Sequence, residues 1–121
     1  VAKRGLNVAL LARRRAVLDE VAAAIRDEFG VETRTLAVDL VDDDATASIV
    51  DATSDIEVGL VVYCAGADPN YRPFLAEPVE SALAMVQRNC VVPMQVCHHF
   101  AAPMVVGRGP PRLLRACRVR D

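Results

Sequence analysis

The chain has 121 residues, 53% of them apolar and 4% aromatic, with a net charge of −2 at pH 7. This length allows one small domain, and a core of Ala, Val and Leu suits helices packed on sheet. Charge is unevenly spread: residues 1–107 hold nine basic and 15 acidic side chains, whereas residues 108–121 hold five arginines and one acid. This asymmetry marks the tail as different in kind, and without aromatics or a recognisable module its arginines are not read as a nucleic-acid site.

In chain order, residues 1–4 read as the end of a helix, with Gly5 as its carboxyl-terminal cap. Residues 7–12 are a short apolar run, hence a buried strand, followed by Arg13, Arg14 and Arg15. Residues 16–29 predict a helix with Val17, Leu18, Val21, Ala24 and Ile25 on one stripe and Gly30 as cap. Residues 31–40 alternate and predict a second strand ending at Asp39 and Leu40. Asp42, Asp43 and Asp44 suit a helix N-terminus through the macrodipole, and that helix runs to about Ser54.

Residues 56–63 predict a third strand, buried on both faces, that stops at the small-residue turn Cys64-Ala65-Gly66. Bare backbone at such a turn admits the close approach of a flat ligand. Residues 68–73 form a loop of turn formers. Residues 77–106 predict one long helix, interrupted or bent near Pro93, whose ring removes a backbone donor and crowds the carbonyl of Asn89. The β-α-β-α-β-α order predicts an α/β, doubly wound parallel sheet of three strands with flanking helices.

Residues 1–5 lack the apolar core of a signal peptide. The longest apolar stretch, 81–106, contains Gln87, Arg88, Asn89, Gln95, His98 and His99 and is too polar to span a bilayer. The four cysteines, Cys64, Cys90, Cys97 and Cys117, show no CxxC spacing and read as free thiols of a cytoplasmic protein. Cys90 and Cys97, seven apart, are expected to face the core together. His98 and His99 diverge by about 100° on a helix, so no metal site is expected.

Four segments in sequence order resemble the short-chain dehydrogenase/reductase family, over residues 1–107. Gly5-Leu6-Asn7-Val8-Ala9-Leu10-Leu11-Ala12-Arg13-Arg14 is similar to the family's second strand and its cofactor-discriminating end. Val38-Asp39-Leu40 resembles the Asp-hydrophobic pair that lies along the adenine. Tyr63-Cys64-Ala65-Gly66 resembles the Asn-Asn-Ala-Gly turn, with both asparagines replaced. Arg88-Asn89-Cys90-Val91-Val92-Pro93 resembles the mid-helix Asn-x-x-x-Pro segment.

The resemblance implies a Rossmann-like fold and a nicotinamide cofactor. An acid after the second strand would take the 2′-hydroxyl of NAD; here Ala12 is small and Arg13 cationic, which fits a 2′-phosphate and implies NADP, with Arg14 sharing it. The same likeness implies cofactor contacts from Asp39, Leu40, Cys64, Ala65 and Gly66. It implies a catalytic role for Asn89, holding a water in a proton relay.

The sequence carries neither the family's Gly-rich phosphate turn nor its catalytic Ser and Tyr-x-x-x-Lys. Residues 1–107 are therefore expected to be a partial dinucleotide-binding domain lacking the first strand, truncated at both ends, and residues 108–121 an Arg/Pro-rich divergent tail whose prolines forbid a central strand. The implied function is that of a fragment of an NADP-dependent oxidoreductase, inactive alone. The alternatives are a non-catalytic fragment that pairs with an intact homologue, and another nucleotide-binding α/β module. Expected partners are a second copy or an intact homologue, with no nucleic acid and no membrane. Apolar strand edges left open would make the isolated chain weakly stable or unstable.

Overall fold

The computed structural model of the chain describes residues 1–66 and 71–107, in two compact units that meet in sequence at Asp42 and Asp43. The expectations for residues 68–70 and for the tail 108–121 lie outside the described residues. The described residues form an α/β fold with one two-stranded sheet.

In the first unit a short 3-10 turn, Ala2–Arg4, ends at Gly5 with φ 74°. Strand β1, Val8–Ala12, leads into helix α1, Arg15–Phe29, and strand β2, Thr33–Ala37. The strands are parallel, with Val8 opposite Thr33 and Ala12 opposite Ala37. Parallel strands need a crossover between them, and α1 provides it. Gly30 stops α1 in the left-handed region at φ 63°, with its N–H donating to the Arg26 carbonyl.

Helix α1 packs on both strands. Because one helix covers one face, burial along β1 alternates, with Val8 and Leu10 half-buried and Ala9, Leu11 and Ala12 exposed. The expectation of a fully buried first strand is corrected accordingly. The inward stripe of α1 also differs from the expected one. Leu18 and Ala22 are buried and Ile25 and Phe29 half-buried, whereas Val17, Val21 and Ala24 are exposed. The helix carries two apolar stripes, and only the first has a covering element in this unit.

Side-chain hydrogen bonds also cross the contact between α1 and β2. Arg26 donates to Thr33 Oγ1 at 2.5 Å, and Thr35 Oγ1 donates to Asp19 Oδ1 at 3.0 Å. Asp19 also accepts from Arg15 at 3.1 Å, one helical turn back.

In the second unit, helix α2, Ala45–Ala52, starts later than the acid run, with Asp44 at its N-cap and no side-chain cap bond. The acids thus act on the helix through charge rather than by capping. Ala45 and Ile49 are buried on one face of α2, with Thr53 buried just past its end, while Val92, Val96 and Phe100 form a buried stripe four residues apart on a later helix. That helix packs on α2, and Thr46 donates to Gln95 at 2.6 Å. Buried Thr53 donates to the Ile49 carbonyl at 2.8 Å, so its hydroxyl is satisfied.

The third predicted strand is not formed. Residues 57–66 make no ladder, and Leu60 and Val62 are 45% and 42% exposed. An apolar run becomes a strand only beside a partner, and among the described residues no strand pairs with this one. A 3-10 turn, Phe74–Ala76, precedes helix α3, Val79–Val86. The chain then widens into a π-helical turn, Gln87–Val91, and continues as helix α4, Val92–Gly107. The long helix predicted from sequence is present, and its interruption lies just before Pro93. No helix among the described residues is long and apolar enough to cross a membrane.

Candidate functional site

The parallel register of the first unit places the carboxyl ends of β1 and β2 side by side. One further bond, Val38 N–H to the Ala12 carbonyl at 3.1 Å, extends the pairing past Ala37. Arg13 and Arg14 therefore leave the sheet at the same edge as Asp39 and Leu40. In doubly wound sheets this is the edge where ligands bind. Arg13 and Arg14 are exposed, and Arg14 is the N-cap of α1. Among the described residues neither has an ion-pair partner, whereas Arg15 is engaged by Asp19.

Asp39 is half-buried and committed to a turn. Its carboxylate accepts from Val41 N–H at 3.2 Å and its carbonyl from Asp42 N–H at 3.2 Å. Asp39 thus caps the turn that follows β2. Leu40 is half-buried beside it.

The second unit brings Gly66 and Asn89 together. Gly66 has φ 128°, a backbone region that side chains rarely adopt. A Cβ built there would collide with Asn89 Oδ1 and lie 3.3 Å from Asn89 Cγ. The bare backbone at this turn thus accommodates the asparagine side chain, where the sequence suggested room for a flat ligand. Cys64 is half-buried and Ala65 exposed.

Asn89 sits within the π-helical turn. That turn moves the acceptor register by one residue: Val92 N–H donates to the Gln87 carbonyl, five residues back. Counted this way, the carbonyl facing Pro93 is that of Arg88 rather than Asn89. Tyr63 Oη donates to the Arg88 carbonyl. Burial pushes the Tyr63 phenol above 10.0, with the nearby Arg88 charge pulling partly the other way. Sequence reasoning gave Tyr63 no role. The available signal was Pro93, which removes a backbone donor that some other group must replace.

The expectation that Cys90 and Cys97 face the core together is not met. Cys90 is exposed and Cys97 half-buried. Among the described residues no cluster of metal-binding side chains occurs.

A parallel β-α-β unit flanked by helices defines a partial Rossmann-like α/β class of fold. No family model matches the chain. It is similar to the 7beta-hydroxysteroid dehydrogenase of Clostridium sardiniense, 43% identical over 65 residues, which are 54% of this chain and 25% of that enzyme. Among solved structures it superposes on a 7beta-hydroxysteroid dehydrogenase with TM-score 0.83 and 28% identity, over 87% of this chain and 40% of that one. A short-chain dehydrogenase from Sphingobium yanoikuyae in complex with NADPH gives TM-score 0.79 and 26% identity, over 87% and 41%. These likenesses identify the chain as a relative of the short-chain dehydrogenases/reductases, and it spans a quarter to two-fifths of the length of these proteins.

Proposed function

We propose that the chain serves an NADP-dependent oxidoreductase reaction, hydride exchange between a nicotinamide and an alcohol or carbonyl, and that Arg13 selects NADP over NAD. The observation that carries this is the exposed Arg13 guanidinium at the carboxyl end of β1, without an ion-pair partner among the described residues, where an acid would instead favour the 2′-hydroxyl of NAD. A guanidinium presents a rigid fork of donors that matches a phosphate. Arg14, at the positive end of α1, adds to the same field. The relative from Sphingobium yanoikuyae holds NADPH, which supports the choice of nucleotide.

Bound cofactor supplies the hydride; the residues of this chain bind and orient. Asp39 and Leu40 shape the edge of the first unit beside Arg13. In the second unit Ala65 and Gly66 fix the backbone, Cys64 contributes a half-buried thiol behind them, and Asn89 offers its amide to a water that carries a proton. The 121 residues include one lysine, Lys3, and no Tyr-x-x-x-Lys, so binding without turnover is part of the proposal.

Titration of NADPH, followed by nucleotide fluorescence, tests the role of Arg13. Losing a charged hydrogen bond costs on the order of 1.5–3 kcal/mol. Arg13→Ala should therefore weaken NADPH binding by roughly tenfold or more and leave NADH unchanged. Equal NADPH affinity in wild type and Arg13→Ala would remove the assignment.

A further inference from the structure

We propose that Tyr63 is a positioning residue for Asn89: its hydroxyl gives the Arg88 carbonyl the hydrogen bond that Pro93 cannot give. Three observations converge. The π-helical turn sets donors five residues after their acceptors, as Val92 N–H to the Gln87 carbonyl shows. In that register position 93 should donate to Arg88, and proline has no N–H. Tyr63 Oη donates there instead.

The consequence lies close by in sequence on each side. Arg88 directly precedes Asn89, and Tyr63 lies three residues before Gly66. The one hydrogen bond ties the extended segment that ends in Gly66 to the turn that carries Asn89. It fixes the rotation of the turn that sets Asn89 Oδ1 against the Gly66 backbone. Without it, the widened turn has a weaker reason to stay wide, since a π turn is normally the rarer state. A regular α-helical register would rotate Asn89 away from Gly66. The hydrogen bond stands on geometry alone; its bearing on proton transfer rests on the reading of Asn89 given above.

The experiment uses the full chain labelled with nitrogen-15, as wild type, Tyr63→Phe, Pro93→Ala and the double variant. Two quantities are read: the side-chain amide pair of Asn89, and hydrogen-exchange protection of the Val92 N–H. Tyr63→Phe should shift the Asn89 pair while leaving the amides of α1 in place. It should also lower Val92 protection roughly tenfold. In the Pro93→Ala background, where residue 93 regains an N–H, the same substitution should change protection by less than about twofold.

Equal losses in both backgrounds, or an Asn89 pair unmoved by Tyr63→Phe, overturn the proposal. Should Tyr63→Phe fail to fold, recovery of folding in the double variant supports the proposal and failure to recover overturns it. No nucleotide enters either readout, so a failed NADPH titration and a failed Tyr63 test are separate results.

Discussion

Tyr63 illustrates how a single hydroxyl can carry a local geometry. A protonated phenol can donate to the Arg88 carbonyl, and a phenolate cannot. Because burial raises the folded-state value above 10.0, the folded chain holds this proton where the unfolded chain has released it. Stability from this group is therefore complete below pH 10 and is lost as pH rises through the folded value. The check is a tyrosinate absorbance titration of the Tyr71→Phe chain, which isolates Tyr63 as the remaining tyrosine. A midpoint above 10.0 is expected, and a midpoint at or below it would deny the desolvated hydrogen bond.

At the same scale, Arg13 was legible in the sequence because its position after a short apolar run fixes it at a strand end. Asn89 was legible as a poor helix former four residues before a proline. Tyr63 was not, because a tyrosine in an apolar run reads as core, and its partner is a main-chain carbonyl that no side-chain pattern records.

Among the elements, the junction of the extended segment with the π-helical turn is the most specified. Gly66 is required twice there, by φ 128° and by the Asn89 side chain that fills the place of a Cβ. Gly66→Ala should cost on the order of 1–3 kcal/mol in backbone strain alone. Its expected signature is lower hydrogen-exchange protection through residues 87–92, with α1 unchanged. Uniform loss across both units, or no loss, would contradict this account.

The β1-α1-β2 unit and the long helix could be read from apolar spacing, glycine caps and proline. The π turn could not, since a one-residue widening leaves no trace in periodicity over so short a stretch. The third strand was misjudged for a different reason. An apolar run states a preference for burial, and pairing depends on a neighbour elsewhere in the chain.

For the whole molecule the salient fact is how much apolar surface stays open. Among the described residues Phe74 and Leu75 are 70% and 95% exposed, and Val79, Leu83, Val86 and Met94 line the α3–α4 rod at 50–65%. Among the described residues the buried apolar set is small, nine residues with Val92 the largest that is fully enclosed. A core of that size leaves little margin against chain entropy. The isolated chain should therefore self-associate and unfold over a broad range of urea. A monomer in sedimentation that melts in one sharp cooperative transition would contradict this.

The central claim, that the strand-end arginine makes this a chain for NADP, is tested most directly by titrating the wild-type chain with NADPH and with NADH in parallel. The account predicts that NADPH saturates at a concentration roughly tenfold lower than NADH. Equal response to the two nucleotides, or a preference for NADH, would contradict it.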